Sequence, residues 1–489
     1  MNQATPHRIV GTGLVLGLLG DWWLRGQPPG CGVFLWGLAL AAAVVLTTNR
    51  LSRQGLRLPG TWVLFGGLAC LSMWAWRDAE PLLVWGTLGF LGALLLTGIE
   101  TAQRPLAQLR VLPGLGGAAE LIAGVLLQPL LVWLPPEEPE PGRARRIPTA
   151  RVGSWLVGGL LSVAVLLLFG ALLRAGDPLF AKFTDPLLQW RWETLVSHLF
   201  VILFLGWLAT GYLGTARFGL PGCVKRQEPW LPPVPRLGTA SWALPLVTLN
   251  LLLLLHACVQ ARFWFGGRET VLATAGLTLA EYARHGFFEL VITAGLVLGV
   301  LWLADSVRSR DRTHALQVYR RLALPLMLWV TILMISAALR LGLYIRHFGL
   351  TETRLYAAAV LVWIAAVLGW FAVTVLRDRA ERFLFGAIVL AYATFLALAV
   401  MNPHAWVARV NLARATRGHS LDLEHLARLS ADAVPAIVAC LDQLSPGDRE
   451  WLSGRLLKRG QQPQGDWRAW NLARHRAAAA VAALSTAKP

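Results

Sequence analysis

Three groups of polar residues in this 489-residue chain stand beside or inside long apolar runs, where ionisable side chains can do chemistry at a membrane. The densest is Glu281, Arg284, His285 and Glu289, within the run Ala280–Leu290. Helical spacing puts Glu281, His285 and Glu289 on one stripe, with Arg284 one turn from Glu281. Such a stripe could bind a cation, relay protons or supply an acid and a base. Ion pairing at a helix entrance explains the same residues without any activity, and is the reading favoured here. Asn250, His256 and Gln260 form the second group, with His256 and Gln260 one turn apart. Singly, such residues more often join helices by hydrogen bonds than bind a ligand. Arg340 and Tyr344 are the third; Arg340 lies inside an apolar run, from which its stem could snorkel to the interface. Just beyond, Gly349 permits a turn and Thr351 is placed to cap a helix whose first turn holds Glu352.

Few other residues suggest a reaction. No Walker A, GxSxG, HExxH or paired-cysteine motif stands in a supporting context. The cysteines, at 31, 70, 223, 258 and 440, are scattered, so neither a zinc site nor a disulfide framework is indicated. No metal site is expected, and no cofactor is implied.

The elements that must position these residues follow from composition. The chain is 56% hydrophobic and 15% charged, with a mean hydropathy of +0.54, whereas soluble domains carry about 25% charged residues. Charges cluster between apolar runs long enough to cross about 30 Å of hydrocarbon as helix. The fold class is therefore all-α: a polytopic transmembrane helix bundle with a small C-terminal helical domain. Candidate spans lie near 9–24, 31–48, 59–76, 81–99, 152–174, 194–214, 241–262, 286–304, 322–345, 355–376 and 383–401. The first carries Asp21 and lacks a small-residue cleavage pattern, so it reads as a retained span and not a signal peptide.

Segment 116–134 is apolar enough to count as a twelfth span but contains Glu120 and Pro129. Loop charge arbitrates. If the segment does not cross, the loops near 49–58, 100–151, 215–240, 305–321 and 377–382 share one side and hold 21 Lys and Arg; the opposite loops hold 8. That asymmetry puts the first group and the amino terminus in the cytoplasm. Segment 116–134 is then re-entrant or interfacial, followed by a stiff Pro/Glu linker. Four regions result: a four-helix membrane region over 1–100, a cytoplasmic loop over 101–151, a seven-helix membrane core over 152–401, and a soluble helical tail over 402–489.

In the tail, Ser445-Pro446 reads as a helix start, Gly460 as a stop and Asp466 as the cap of a last helix. The apolar stripes Leu421, Leu423, Leu426, Leu429 and Trp451, Leu452, Leu456, Leu457 predict a small bundle. Eleven spans would put it outside the cytoplasm, and one span more or fewer would put it inside. The 23 Trp residues, many near span ends, suggest an interfacial belt.

Several ordered motifs give a resemblance. Phe265-Gly266-Gly267, the run Ala280–Leu290, the run Phe348–Tyr356, Met401-Asn402-Pro403 and the stretch from Leu421-Asp422 through Pro435 resemble a bacterial membrane family, domain of unknown function 4173, over roughly residues 150–445. The resemblance implies a bacterial cytoplasmic-membrane protein and supplies no activity.

Three functions are compatible with these features: a cell-envelope binding or scaffold protein whose membrane core positions the tail, a transporter or channel with a cavity beside spans seven to nine, and a membrane enzyme acting on a lipid or lipid-linked substrate. The first is preferred, because a tail with its own core invites a protein partner and no catalytic motif competes. The remaining partners are the lipid bilayer and anionic head groups at the basic cytoplasmic loops. Net charge is +18, but the basic residues lie in short loops beside spans, so nucleic acid is not expected.

Overall fold

The computed structural model describes residues 6–48, 59–101, 111–131, 192–219, 238–265, 287–308, 313–460 and 465–486, with isolated positions between 162 and 177. Among them there are helices and turns and no strand. Among the described residues, seven helices are long and apolar enough to cross a membrane. Most of the candidate span 152–174, the Pro/Glu linker, and Glu281, Arg284 and His285 lie outside the described residues.

The amino-terminal half contains α1 (Pro6–Leu24), α2 (Cys31–Thr47), α3 (Pro59–Leu71), the short α4 (Met73–Trp76), α5 (Glu80–Thr101), α6 (Val111–Leu131) and α7 (Trp192–Phe218). The span expected over 59–76 is thus interrupted at Ser72, whose hydroxyl bonds to the carbonyl of Ala69. Bonding of this kind competes with the helix ladder and favours a break.

Small residues allow the closest approach. A Cβ on Gly17 of α1 would lie 2.2 Å from the Ile202 carbonyl oxygen of α7, and one on Gly13 would lie 1.9 Å from Thr210 Oγ1. Asp21 meets His198 at the other end of the pair, at 2.5 Å, so α1 and α7 run antiparallel. Backbone proximity replaces hydrophobic contrast where lipid is as apolar as leucine.

The carboxyl-terminal half contains α8 (Thr239–Phe265), α9 (Phe287–Val307), α10 (Thr313–Phe348), α11 (Glu352–Thr374) and α12 (Phe383–Met401). Leu246, Leu301, Tyr319, Leu326 and Phe371 fill its core. Trp242 is buried there against Tyr319, with ring centroids 6.2 Å apart, instead of standing in an interfacial belt. Helix α12 joins the halves: Tyr392 donates to the Gly89 carbonyl at 2.8 Å.

These contacts give the bundle two ends. One carries residues 24–31, 72–80, 346–352 and 399–403. The other is marked by Gly60 with Glu100, 2.5 Å apart, and by an ion triad of buried Arg308 with buried Asp305 (3.0 Å) and exposed Asp378 (2.7 Å). Helix α6 lies near the second end. Leu121 packs on Gly98, Gly124 faces Thr215, and Trp207 donates to the Leu126 carbonyl.

The tail contains α13 (Pro403–Ala415), α14 (Leu423–Arg428), α15 (Val434–Val438), α16 (Pro446–Gly460) and α17 (Leu472–Thr486). Leu412, Leu426, Leu429, Ile437, Leu452 and Leu456 form its core. Asp466 caps only a short 3-10 turn over Trp467–Ala469, and Asn471 caps α17 in its place. Thr351, expected to cap α11, makes no side-chain cap bond.

Candidate functional site

The tail rests on the first end of the bundle, called here the tail face, and the joint is built from helix termini. Helices α1, α4, α10 and α12 all finish there, each with carbonyls that no intrahelical N–H can satisfy and a partial negative charge. Arginines meet them. Arg77, between α4 and α5, donates through Nε to Ala399 at 2.8 Å and through Nη2 to Val400 at 3.3 Å, in the last turn of α12. Arg414 of α13 donates to Ile345, Arg346 and His347 at the end of α10. Arg468 donates to Trp22 and Arg25 where α1 ends. Asn471 donates to the carbonyls of Trp74 and Arg77 at 2.8 and 2.7 Å.

Helix α5 starts at this face, and a tail carboxylate serves its amino end. Asp432 Oδ2 accepts the N–H groups of Asp78 (2.6 Å) and Ala79 (3.1 Å), just ahead of α5. Asp432 Oδ1 pairs with Arg77 at 3.2 Å, and the two residues are only 5% and 6% exposed. A buried carboxylate with a cationic partner and two backbone donors has its desolvation offset.

The turn carrying Asp432 is held from below. Asn402 adopts a left-handed backbone (φ +58°), a region asparagine enters more readily than most side chains, and Pro403 begins α13. Asn402 Oδ1 accepts from Ala405 N, and His404 Nδ1 accepts from Ser430 N at 3.0 Å. Burial pushes the His404 ring below the ordinary histidine pKa, against the opposing charges of Glu352, Asp432 and Asp78. A second clamp closes on Leu350, whose N–H and carbonyl both bond to the Asn411 amide, while Gly349 turns at φ +80°.

Beside the joint is a cleft of about 430 Å³ lined by both parts of the molecule. Pro28 and Asp78 come from the membrane side, and Arg459, Trp467, Trp470, Asn471, Arg474 and His475 from the tail. Arg474 spans it, bonding Asp78 Oδ1 at 2.7 Å and the Pro29 carbonyl at 3.1 Å. Trp467 and Trp470 remain about half exposed. Aromatic area around a few polar groups suits recognition of a peptide or a small amphipathic ligand.

The residues singled out from sequence fall elsewhere. Asn250 donates to the Leu322 carbonyl of α10 at 3.0 Å, joining α8 to its neighbour. His256 faces Trp329, Leu333 and Ser336 across the same helix pair. Arg340 is 8% exposed on α10, within electrostatic reach of His256. Glu289 is exposed at the start of α9, and its carbonyl accepts from Thr293. The Gln260 side chain, Glu281, Arg284 and His285 lie outside the described residues. Sequence reasoning passed over Arg77, Asp78, Asp432, Asn471 and Arg474. The available signal was Arg77-Asp78 between two apolar helices and an acidic residue in the run Ser430–Pro435.

The family described as "Domain of unknown function (DUF4153)" matches residues 63–440. This corrects the resemblance to domain of unknown function 4173. Short motifs at helix ends recur wherever a span stops at a capped turn, so they narrow the architecture more than the family. No curated protein and no solved structure matches the chain. The matched region includes Arg77, Asp78 and Asp432 and stops before α16 and α17, which complete the cleft.

Proposed function

This chain belongs to the DUF4153 family, and from that premise we propose that it is a binding or scaffold protein of the bacterial cell envelope. In this reading the multi-pass core sits in the cytoplasmic membrane and presents the tail, outside the cytoplasm, to a protein partner. The joint carries the proposal: Asp432, Arg77, Asp78 and Asn471 tie the tail to helix termini from both halves of the bundle, as needed to hold a binding surface in fixed orientation.

Loop charge supports the orientation. The loops 25–30, 77–80 and 346–354 belong to the set with 8 Lys and Arg and lie at the tail face; of the set with 21, the described residues 305–308 and 377–382 lie at the other end, where they would meet anionic head groups. Contacts of α6 gather near the second end of its neighbours, which favours α6 as the interfacial helix.

Transport or lipid chemistry along α8 and α10 is the weaker reading. Arg340 beside His256 is its best support, and the Asn250 bond to the Leu322 backbone closes the same seam.

Photocrosslinking in intact cells tests the binding reading. A benzophenone side chain in place of Trp470 or His475 is expected to give an adduct of one defined size, and the same group at exposed Glu450 is not. Equal adducts from all three positions, or none from the cleft, would remove the proposal.

A further inference from the structure

Where the tail meets α11 and α12, three buried polar atoms find no hydrogen-bond partner among the described residues: His404 Nε2, His425 Nε2 and Tyr356 Oη. They surround Glu352, whose carboxylate stands 3.5 Å from His425 Nε2. His404 is the most enclosed, 6% exposed. Its Nδ1 accepts the Ser430 N–H, which requires the neutral ring with its proton on Nε2. The charged and titratable groups around it come from every neighbouring element: Glu352 from α11, His425 from α14, Asp432 from the Ser430–Ala433 turn, and Asp78 from the connection before α5. Arg77 reaches the same turn through Asp432.

We propose that His404 is a proton-operated latch for the tail: a solvent proton bound at Nδ1 takes away the acceptor of Ser430 N–H, sets two donors face to face, and loosens the turn that carries Asp432. No other bond changes in the step; one proton is taken up and the ring becomes a cation. Loss of the Ser430 anchor weakens the hold of Asp432 on Arg77 and on the start of α5, so the joint opens from one point. The inference rests on the proposal that the tail is a presented binding domain, and adds its control.

The sign follows from linkage. Burial, the largest influence, keeps the docked His404 below the ordinary histidine value, and His425 adds to that, while Glu352, Asp432 and Asp78 oppose it. A released tail exposes a ring with the ordinary value of about 6.5. The released state therefore binds more protons, and docking is full above that value and is lost as pH falls below it. A tail outside the cytoplasm would meet such acid.

Hydrogen exchange of the full chain in lipid nanodiscs, at about pH 7.5 and about pH 5 and corrected for intrinsic exchange, reads the latch. Amides of residues 428–434 and 471–476 are expected to be protected at the higher pH and to exchange about tenfold faster at the lower. His404→Asn keeps an acceptor near the Nδ1 position and cannot titrate, so its tail stays protected at both. If that variant is already released at neutral pH, Glu352→Gln decides. Removing the carboxylate that favours a charged His404 moves wild-type-like release to higher pH, and an unmoved midpoint overturns the latch. Equal protection of wild type at both pH values also overturns it. A tail unprotected at neutral pH in the wild type would instead sink the docked-domain reading.

Discussion

Asp78 and Asp432 each accept hydrogen bonds from the segment that carries the other. Asp432 Oδ2 takes the N–H groups of Asp78 and Ala79, and Asp78 Oδ2 takes that of Ala431 at 3.2 Å. Two carboxylates so near would repel. Arg77 on Asp432 and Arg474 on Asp78 neutralise them, so four side chains from three segments form one closed unit. Segments 353 residues apart are thereby fixed against each other.

Asp432→Ala should release the tail while leaving both parts folded. It strands a buried arginine and uncaps α5, and removing one partner of a buried pair costs about 3–5 kcal/mol. Faster hydrogen exchange across residues 428–434, with unchanged helix content, is the expected result. Adding Arg77→Met should not restore docking, because Arg77 also holds the Ala399 and Val400 carbonyls at the end of α12. Unchanged exchange in the single variant would mean that the pair does not hold the tail.

Asn471 separates capping from docking. Its Oδ1 caps α17 through Ala473 N (2.9 Å) and Arg474 N (3.3 Å), while Nδ2 holds the carbonyls of Trp74 and Arg77. Asn471→Asp keeps the cap and turns a carboxylate toward two carbonyls; Asn471→Ala loses both functions. Both should undock the tail, and only the alanine variant should fray α17, by about 1 kcal/mol. Site-resolved exchange of residues 473–476 distinguishes them.

Close packing of α1 on α7 predicts a sharp contrast between two glycines. Gly17→Leu drives a side chain into the Ile202 carbonyl and should lower the melting temperature in detergent, at a cost of at least about 1–3 kcal/mol. Gly11→Ala meets nothing within 4 Å and should be neutral or stabilising by up to about 1 kcal/mol. Similar melting of the two variants would contradict the antiparallel contact.

Orientation can be read with single cysteines in a background whose 5 native cysteines are serine. Glu450→Cys in the tail should label in intact cells with a reagent that does not cross the cytoplasmic membrane. Arg379→Cys, exposed at the other end, should label only after lysis. The reverse pattern places the tail in the cytoplasm.

Asn250→Leu should lower thermal stability by about 0.5–1 kcal/mol, the usual worth of an interhelical hydrogen bond in a membrane, and leave crosslinking from the cleft intact. Loss of crosslinking at unchanged stability would return attention to the seam.

Much of the fold was legible without coordinates. The length and polarity of the apolar runs marked most of the described helices, because a segment that must satisfy its own backbone in lipid declares itself locally. Local chemistry also announced the turn at Gly349 and the helix start at Ser445-Pro446, where Ser445 Oγ accepts from Asp448 N. The joint was not legible. Asp432 looks like a surface acid until Arg77 and the start of α5 are brought to it, and Asn471 caps a helix that Asp466 was better spelled to cap. The residues that looked most chemical, Asn250, His256 and Arg340, sit along a helix pair, while the residues that unite the molecule were ordinary in sequence. Sequence alone determined that the chain is all-α, because helix formation depends on neighbours three and four positions away. Tertiary structure decided which terminus meets which side chain, because an unsatisfied carbonyl or N–H selects its partner by position in space and leaves no mark in the sequence around it.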